Sequence, residues 1–362
     1  MSSDKGDVTT TDSAEEPDEV QAATPVKGGG GGRKNVVATL FRFQSLFGLA
    51  LVFIAGVIFS PNVNGELIFL GVNNLFDIVR SVSEIGILAV GMTLVILIGG
   101  IDLSVGSMLG FSSVVVAVLL VNENWGVGPA VVVVLILGLA FGALQGALVA
   151  SFGIQAFIVT LAGMQVARGL ARITSGGQGV QISYGNDDPS KAPEVFSLIG
   201  ERTFNGVVPI STLIFAAVAA LAIMALRVTS FSRHVYAIGG NEKAARLSGV
   251  PVMRVKIIVF AICGLCAALA GIVHAGYLNF GGPNDGTMFE LKAIAAVVIG
   301  GTSLMGGRGT VLGTVAGALL VGMLENILGL NNIKSDWQSI IIGLVIVLAA
   351  GLQRIRPASV SS

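Results

Sequence analysis

The feature that most constrains this chain is a succession of long apolar runs that water cannot solvate. They fall at roughly 41–60, 82–100, 104–121, 128–151, 155–173, 209–229, 255–276, 288–302, 309–329 and 337–353. Several are near the ~20 residues that a helix needs to cross a bilayer. Hydrocarbon leaves backbone polar groups no partner but each other, so runs of this length predict helices. Composition agrees: 53% of the 362 residues are hydrophobic and 12% are charged, about half the charge density of a soluble domain. The expected fold is an all-α polytopic membrane protein of about ten transmembrane helices. The third and eighth runs are short and glycine-rich, which predicts short, broken or re-entrant helices. The zero net charge gives no case for a nucleic-acid partner.

Residues 1–38 are unlike the rest. Asp4, Asp7, Asp12, Glu15, Glu16, Asp18 and Glu19 precede Gly28–Gly32, and then come Arg33 and Lys34. Such a stretch buries no apolar area and is expected to be a disordered cytoplasmic tail. A secretory signal starts basic, and this stretch does not. The transmembrane domain is expected over 39–356, and 357–362 form a short cytoplasmic tail. Lys and Arg set the orientation. With both termini inside, the loop 230–256 also falls inside, with Arg233, Lys243, Arg246, Arg254 and Lys256 against one acid, Glu242. The 174–208 loop falls outside, with Lys191 and Arg202 against Asp187, Asp188, Glu194 and Glu201. The flipped topology would violate the positive-inside asymmetry.

Two segments share the frame I-G-G-x-x-L-x-x-G, one from Ile98 to Gly106 and one from Ile299 to Gly307. After them, Gly138, Gly142 and Gly146 match Gly309, Gly313 and Gly317, each triplet followed by Ala-Leu. We read an internal repeat, and duplicated halves are typical of transporters. Glycine every four residues lets another helix approach backbone to backbone. These six are the expected helix-packing residues.

Asp102 ends the second run, where a carboxylate at membrane depth has a cost unless satisfied. It is either a pathway residue or a cap for the next helix, which begins near Ser104 and Gly106. Gln145 and Glu325 are further candidates for a central path. Glu84, Gln165, Arg168 and Asn326 also lie within or beside runs, and Glu290 and Lys292 mark a span's outer end. Cys263 and Cys266 read as packing, since they have no second ligand pair for a metal. His234 and His274 show no partner pattern; His274 reads as a helix end.

The most informative loop runs from Val235 to Lys256. Gly239-Gly240 reads as a turn, Asn241 as an N-cap, and Glu242–Leu247 as strong helix formers. Gly249 and Pro251 end that helix. A tight connection between spans needs only a few residues, so a capped basic helix here looks built to dock. No G-x-x-x-x-G-K-[ST] occurs in the chain, so any ATP hydrolysis belongs to another subunit.

Gly99–Gly106, Val235–Asn241 and Val298–Thr302 together resemble the permease subunits of bacterial ATP-binding-cassette importers for ribose, xylose, galactose and related monosaccharides. Phe157–Met164 with Ala167-Arg168-Gly169 is most similar to the galactofuranose-type branch. The resemblance implies a coupling helix in the cytoplasmic loop, and Asn241, Glu242, Ala244, Ala245 and Gly249 match its pattern. It implies no cofactor in this chain, with ATP and magnesium in a partner ATPase. It also implies a second permease chain, an extracytoplasmic sugar-binding protein and a bacterial inner-membrane location. A branched-chain amino acid permease and an ion-coupled secondary transporter are the competing readings.

Overall fold

The computed structural model describes residues 44–185, 188, 191–203 and 208–354. The expected tails, 1–38 and 357–362, lie outside the described residues. Among these, α1 spans Gln44–Ile58, α2 Val72–Leu97, α3 Val105–Ala117, α4 Val127–Phe152, α5 Ala156–Thr174 and α6 Ile210–Val228. Then come α7 Ser230–Gly240, α8 Glu242–Leu247, α9 Val252–Leu278, α10 Phe289–Ile299, α11 Val311–Leu330 and α12 Ser335–Arg354. Every predicted span has its helix, and α7 and α8 belong to the loop. Among the described residues, seven helices are long and apolar enough to cross a membrane: α2, α3 with its π-turn extension to Asn122, α4, α5, α6, α9 and α11. The apolar stretches of α1 and α12 are shorter. α10 has 11 residues, about 16 Å of helix and half of a bilayer core. The eighth run is thus the short helix that its glycines suggested. Strand pairing among the described residues is limited to three two-residue ladders and one isolated bridge between Tyr184 and Ala192, with no closed sheet.

α2 and α9 form the centre. α2 is buried on every face from Val82 to Leu97, as a helix apolar all round must be. α9 packs on α2, α3 and α4. By contrast, α4, α5 and α6 expose Ile136, Leu144, Ile158, Leu221 and Met224, an apolar surface suited to lipid.

α2 begins ten residues before the expected residue 82, because the polar groups of its first turns are satisfied by distant partners. The side-chain amides of Asn74 and Asn326 pair at 2.9 and 3.2 Å. Asp77 pairs with Arg202. Arg80 donates to the Gly200 carbonyl, and its guanidinium sits 4.3 Å above the Tyr277 ring.

Gly138, Gly142 and Gly146 all face α9. A Cβ on them would strike the Gly264 carbonyl, the Phe260 carbonyl and Ile257 Cα respectively. Gly313 and Gly317 hold α11 against the Gly300 and Ala296 carbonyls in the same way. Gly309 departs from expectation. It precedes α11 in a turn, at φ +153°, where a Cβ would overlap Thr302.

The two I-G-G segments both end helices. After α2, Gly99 has φ +77°; its N–H donates to Ile96 O and that of Gly100 to Val95 O, both at 2.9 Å. After α10, Gly301 has φ +89°; its N–H donates to Val298 O at 2.9 Å and that of Thr302 to Val297 O at 3.1 Å. Each is a Schellman ending with a left-handed glycine. The left-handed position is the first glycine of one segment and the second of the other. The sequence frame and the geometric frame therefore differ by one residue.

The α4–α9 seam gives a direct expectation. Gly142→Val forces two backbones apart and destabilises the chain by about 1–3 kcal/mol or more, as overpacking does. Gly343→Ala, which meets nothing within 4 Å, stays within about 0.5 kcal/mol. Thermal unfolding of the purified chain in detergent checks both; equal midpoints would contradict the seam.

Candidate coupling loop and translocation site

The loop helix is defined at both ends by its own residues. Asn241 Oδ1 accepts from the Ala244 N–H at 3.0 Å, an N-cap bond. Gly249, at φ +82°, closes the other end. Its N–H donates to Arg246 O at 3.1 Å and that of Val250 to Ala245 O at 3.0 Å, a third Schellman ending. Glu242 ties α8 to α9 through Lys256 Nζ at 2.8 Å, and Arg246 reaches the same carboxylate at 3.2 Å. Burial pushes the Glu242 carboxyl up, but the hydrogen bonds and charges of Lys256 and Arg246 outweigh it and hold it below its ordinary value. The tie is therefore complete at neutral pH and is lost only as pH falls through that lowered value. Ala245 is buried, whereas Lys243, Ala244, Arg246 and Ser248 are exposed and Leu247 is 90% exposed. α8 thus presents a small, basic face with one projecting leucine.

Gly239-Gly240 is not a turn. α7 runs through both residues, and the Asn241 N–H donates to Ala237 O at 3.0 Å. The glycines serve close approach instead: a Cβ on Gly239 would overlap Leu97 O and the Gly307 backbone. Gly307 N–H donates to Leu97 O at 2.9 Å, and Tyr236 Oη–H donates to Gly309 O at 2.8 Å. The end of α2, the turn before α11 and the end of α7 therefore form one knot. Each of its three parts adjoins or overlaps one of the motif segments, and only Asn241 separates Gly240 from α8.

Asp102, Ser104 and Gln145 are brought together. Asp102 Oδ1 accepts from Ser104 N–H at 2.9 Å and from Ser104 Oγ–H at 2.6 Å. Gln145 Nε2 donates to Ser104 Oγ at 2.9 Å. This is an Asx-type turn leading into α3, with all three residues buried. Gly106 follows on α3 beneath Glu290 and the Gly286 carbonyl. Glu325 is elsewhere, paired with Lys292 at 2.8 Å. Glu290 and Lys292 lie in the first turn of α10, Glu290 against Gly106 and Lys292 paired with Glu325.

The largest departure from the sequence reading lies between α9 and α10. α9 ends at Asn279, in the left-handed region. The chain makes a short ladder with Val180–Gln181 and then folds back along α3. Gly281 meets Ser113 O, Asp285 O meets Gly110, and Gly286 meets Gly106 O, successive positions toward the start of α3. This re-entrant segment is held by charge. His274 Nδ1 stands 2.7 Å from Glu84 Oε2 on α2, and His274 Nε2 stands 3.4 Å from Asp285 Oδ2. That carboxylate oxygen also accepts from Gly282 N–H at 2.7 Å and from Ser113 Oγ–H at 3.2 Å. From α5, Arg168 donates to the Pro283 and Asp285 carbonyls at 2.7 and 2.8 Å. His274 is thus the centre of a buried Glu–His–Asp array rather than an unpartnered helix end. Cys263 and Cys266 are buried free thiols, and no metal-ligating group occurs among the described residues.

A family model described as "Branched-chain amino acid transport system / permease component" matches residues 74–350, from α2 through the knot and the re-entrant segment into α12. The chain belongs to this permease family. It is a transport subunit, not an enzyme, and a multi-pass membrane protein. It is 42% identical to the ribose import permease protein of Escherichia coli strain K12, over 86% of this chain and 93% of that protein. It is 40% identical to the ribose import permease protein of Bacillus subtilis strain 168, over 86% and 92%. It is 35% identical to the xylose transport system permease protein of Escherichia coli strain K12, over 92% and 96%. No solved structure matches the chain. These relatives lend no support to a galactofuranose assignment.

Removing the centre of the array leaves two carboxylates facing each other in the bundle. His274→Ala is expected to destabilise this permease by about 3–5 kcal/mol, the usual result of breaking a buried pair. His274→Ala combined with Glu84→Gln is expected to recover part of that loss. Thermal midpoints in detergent decide; a neutral His274→Ala variant would show that the array carries no weight.

Proposed function

We propose that this permease is the membrane subunit of an ATP-binding-cassette importer for a pentose of the ribose or xylose class. The observation that carries this is the 42% identity to the Escherichia coli ribose import permease protein over 93% of its length. The family model is described by branched-chain amino acid transport, yet ribose and xylose permeases align with this chain nearly end to end. The shared architecture therefore fits both cargoes, and the close relatives favour the sugar. Two permease copies would enclose the path, and both termini would lie in the cytoplasm on the basic side. A separate ATPase would bind and hydrolyse ATP, and an extracytoplasmic binding protein would deliver the sugar and set most of the choice among sugars.

α8 is the proposed contact with the ATPase. Its cap, its Schellman ending and its Glu242–Lys256 tie make it stiff. Its exposed Ala244 and Leu247 leave a surface on which a partner cleft can close. Closure of the ATPase would move α8, and the knot would carry that motion to the ends of α2 and α11.

The test is uptake by cells lacking their own permease. The natural chain should restore ATP-dependent uptake of labelled ribose or xylose, and uptake of leucine alone would replace this proposal with the amino acid reading. Ala244→Glu, which puts an acid on the docking face, and Gly249→Val, which forbids the left-handed ending, should each abolish uptake. Both should leave membrane insertion unchanged, as checked by immunoblot of isolated membranes. Full uptake in both variants would remove α8 from the coupling route.

A further inference from the structure

The re-entrant segment has an edge that the bundle does not cover. Asn284, Thr287 and Met288 are exposed, and Asp285 and Glu290 are half-buried. Arg168 lies beside them, half-buried on α5, and the exposed Arg172 donates to Asn284 Oδ1 at 3.2 Å. Thr287 Oγ–H donates to Asn284 O at 2.6 Å. Met288 occupies the left-handed region at φ +69°, an uncommon conformation that tends to gather at functional sites.

The depth of this edge follows from its contacts. Asp285 O packs on Gly110 and Gly286 on Gly106, while the α3 span ends at Asn122. At 1.5 Å per residue the Gly110 contact lies about 18 Å from Asn122 and about 7 Å from the span's other end at Val105, inside a hydrocarbon layer ~30 Å thick. The Gly106 contact lies next to Val105. An irregular backbone with exposed amide, hydroxyl and guanidinium groups cannot face lipid there; such a stretch lines a water-filled cavity or is buried by protein.

We infer that Asn284, Thr287 and Glu290, with Arg168 and Arg172, form a wall of the translocation path that passes an uncharged, polyhydroxylated solute. This rests on the importer reading above and adds the wall and its chemistry. Arg168 donates to the Pro283 and Asp285 carbonyls, and Arg172 to the Asn284 amide oxygen. The carboxylates of Glu290 on the wall and Asp285 behind it match the two guanidiniums in number, so the segment as a whole offers no excess charge to favour an ion. Amide and hydroxyl groups donate and accept together, as sugar hydroxyls do. The exposed Met288 supplies a single apolar patch for a C–H face. Behind the wall, the His274 array and the Arg168 bonds to two carbonyls keep the segment in place.

Cysteine labelling tests the inference. Cys263 and Cys266 are buried, so the natural chain sets the unlabelled baseline. Thr287→Cys and Asn284→Cys are placed on the wall, and Ile136→Cys on the lipid-facing side of α4 serves as control. Membranes holding the complete importer are treated with a membrane-impermeant maleimide during ATP turnover, with ribose, xylose or leucine present. The wall cysteines are expected to react, Ile136→Cys is not, and ribose or xylose slows the wall reaction while leucine does not. No labelling of either wall cysteine in any nucleotide state overturns the path. Labelling that neither sugar slows overturns the solute class, and uptake of sugar by the natural chain then shows that the importer reading itself has survived.

Discussion

Hydrocarbon offers a broken helix nothing to bond with, so every interruption in this bundle must be closed by the protein itself. Three interruptions occur at depth or at the loop end. The break after α2 is closed by the Schellman ending at Gly99 and the Asp102–Ser104 turn. The break after α10 is closed by the ending at Gly301 and by the Gly307 bond to Leu97. The break after α9 is closed by Asp285, His274 and Arg168. Glycine makes the first two possible, since each needs a left-handed residue or a backbone pressed onto another backbone. The third needs charge, because an irregular segment lying along α3 has many polar groups to satisfy.

The same closures connect the loop helix to the membrane interior. α8 is joined through Asn241 to α7, and α7 meets both interrupted ends at the knot. Backbone-to-backbone contact joins these parts, so the displacement of α8 proposed above would be passed on rather than absorbed. α10 extends from the knot turn to Glu290 and the re-entrant segment, a single short helix between the knot and the proposed wall.

What the sequence disclosed follows physical range. The helices of the ten apolar runs are legible because an apolar run is a local property, although among the described residues seven of them are long enough to cross a membrane. The ends of α8 were legible too, since Asn241, Gly249 and Glu242 act on neighbours within a few residues. Pairings across the bundle were not. Glu84 and His274 are 190 positions apart, and neither residue shows from its neighbours that it has a partner. The early start of α2 was hidden for the same reason, its polar first turns being satisfied by Tyr277, Asn326, Gly200 and Arg202. Gly239-Gly240 was misread because glycine serves turns and close approach alike, and only the facing Leu97 and Gly307 backbones distinguish them. Gln145 and Glu325 looked equivalent in sequence, yet one supports a buried turn and the other an ion pair with Lys292. An ion-coupled transporter would need acids and bases paired within the membrane, and beyond Asp102 and Glu325 the sequence shows few candidates for such pairs. The structure supplies two arrays, so membership of the permease family, not that scarcity, is the argument against it.

On this reading the knot couples α8 to the membrane helices. The most direct measurement is the number of sugar molecules transported per ATP hydrolysed in the reconstituted importer, with the natural chain and with Tyr236→Phe. That variant removes one hydroxyl and its bond to Gly309 O while leaving α8 and its docking face untouched. The account predicts continued ATP hydrolysis with a lowered transport ratio. An unchanged ratio at full hydrolysis would contradict it.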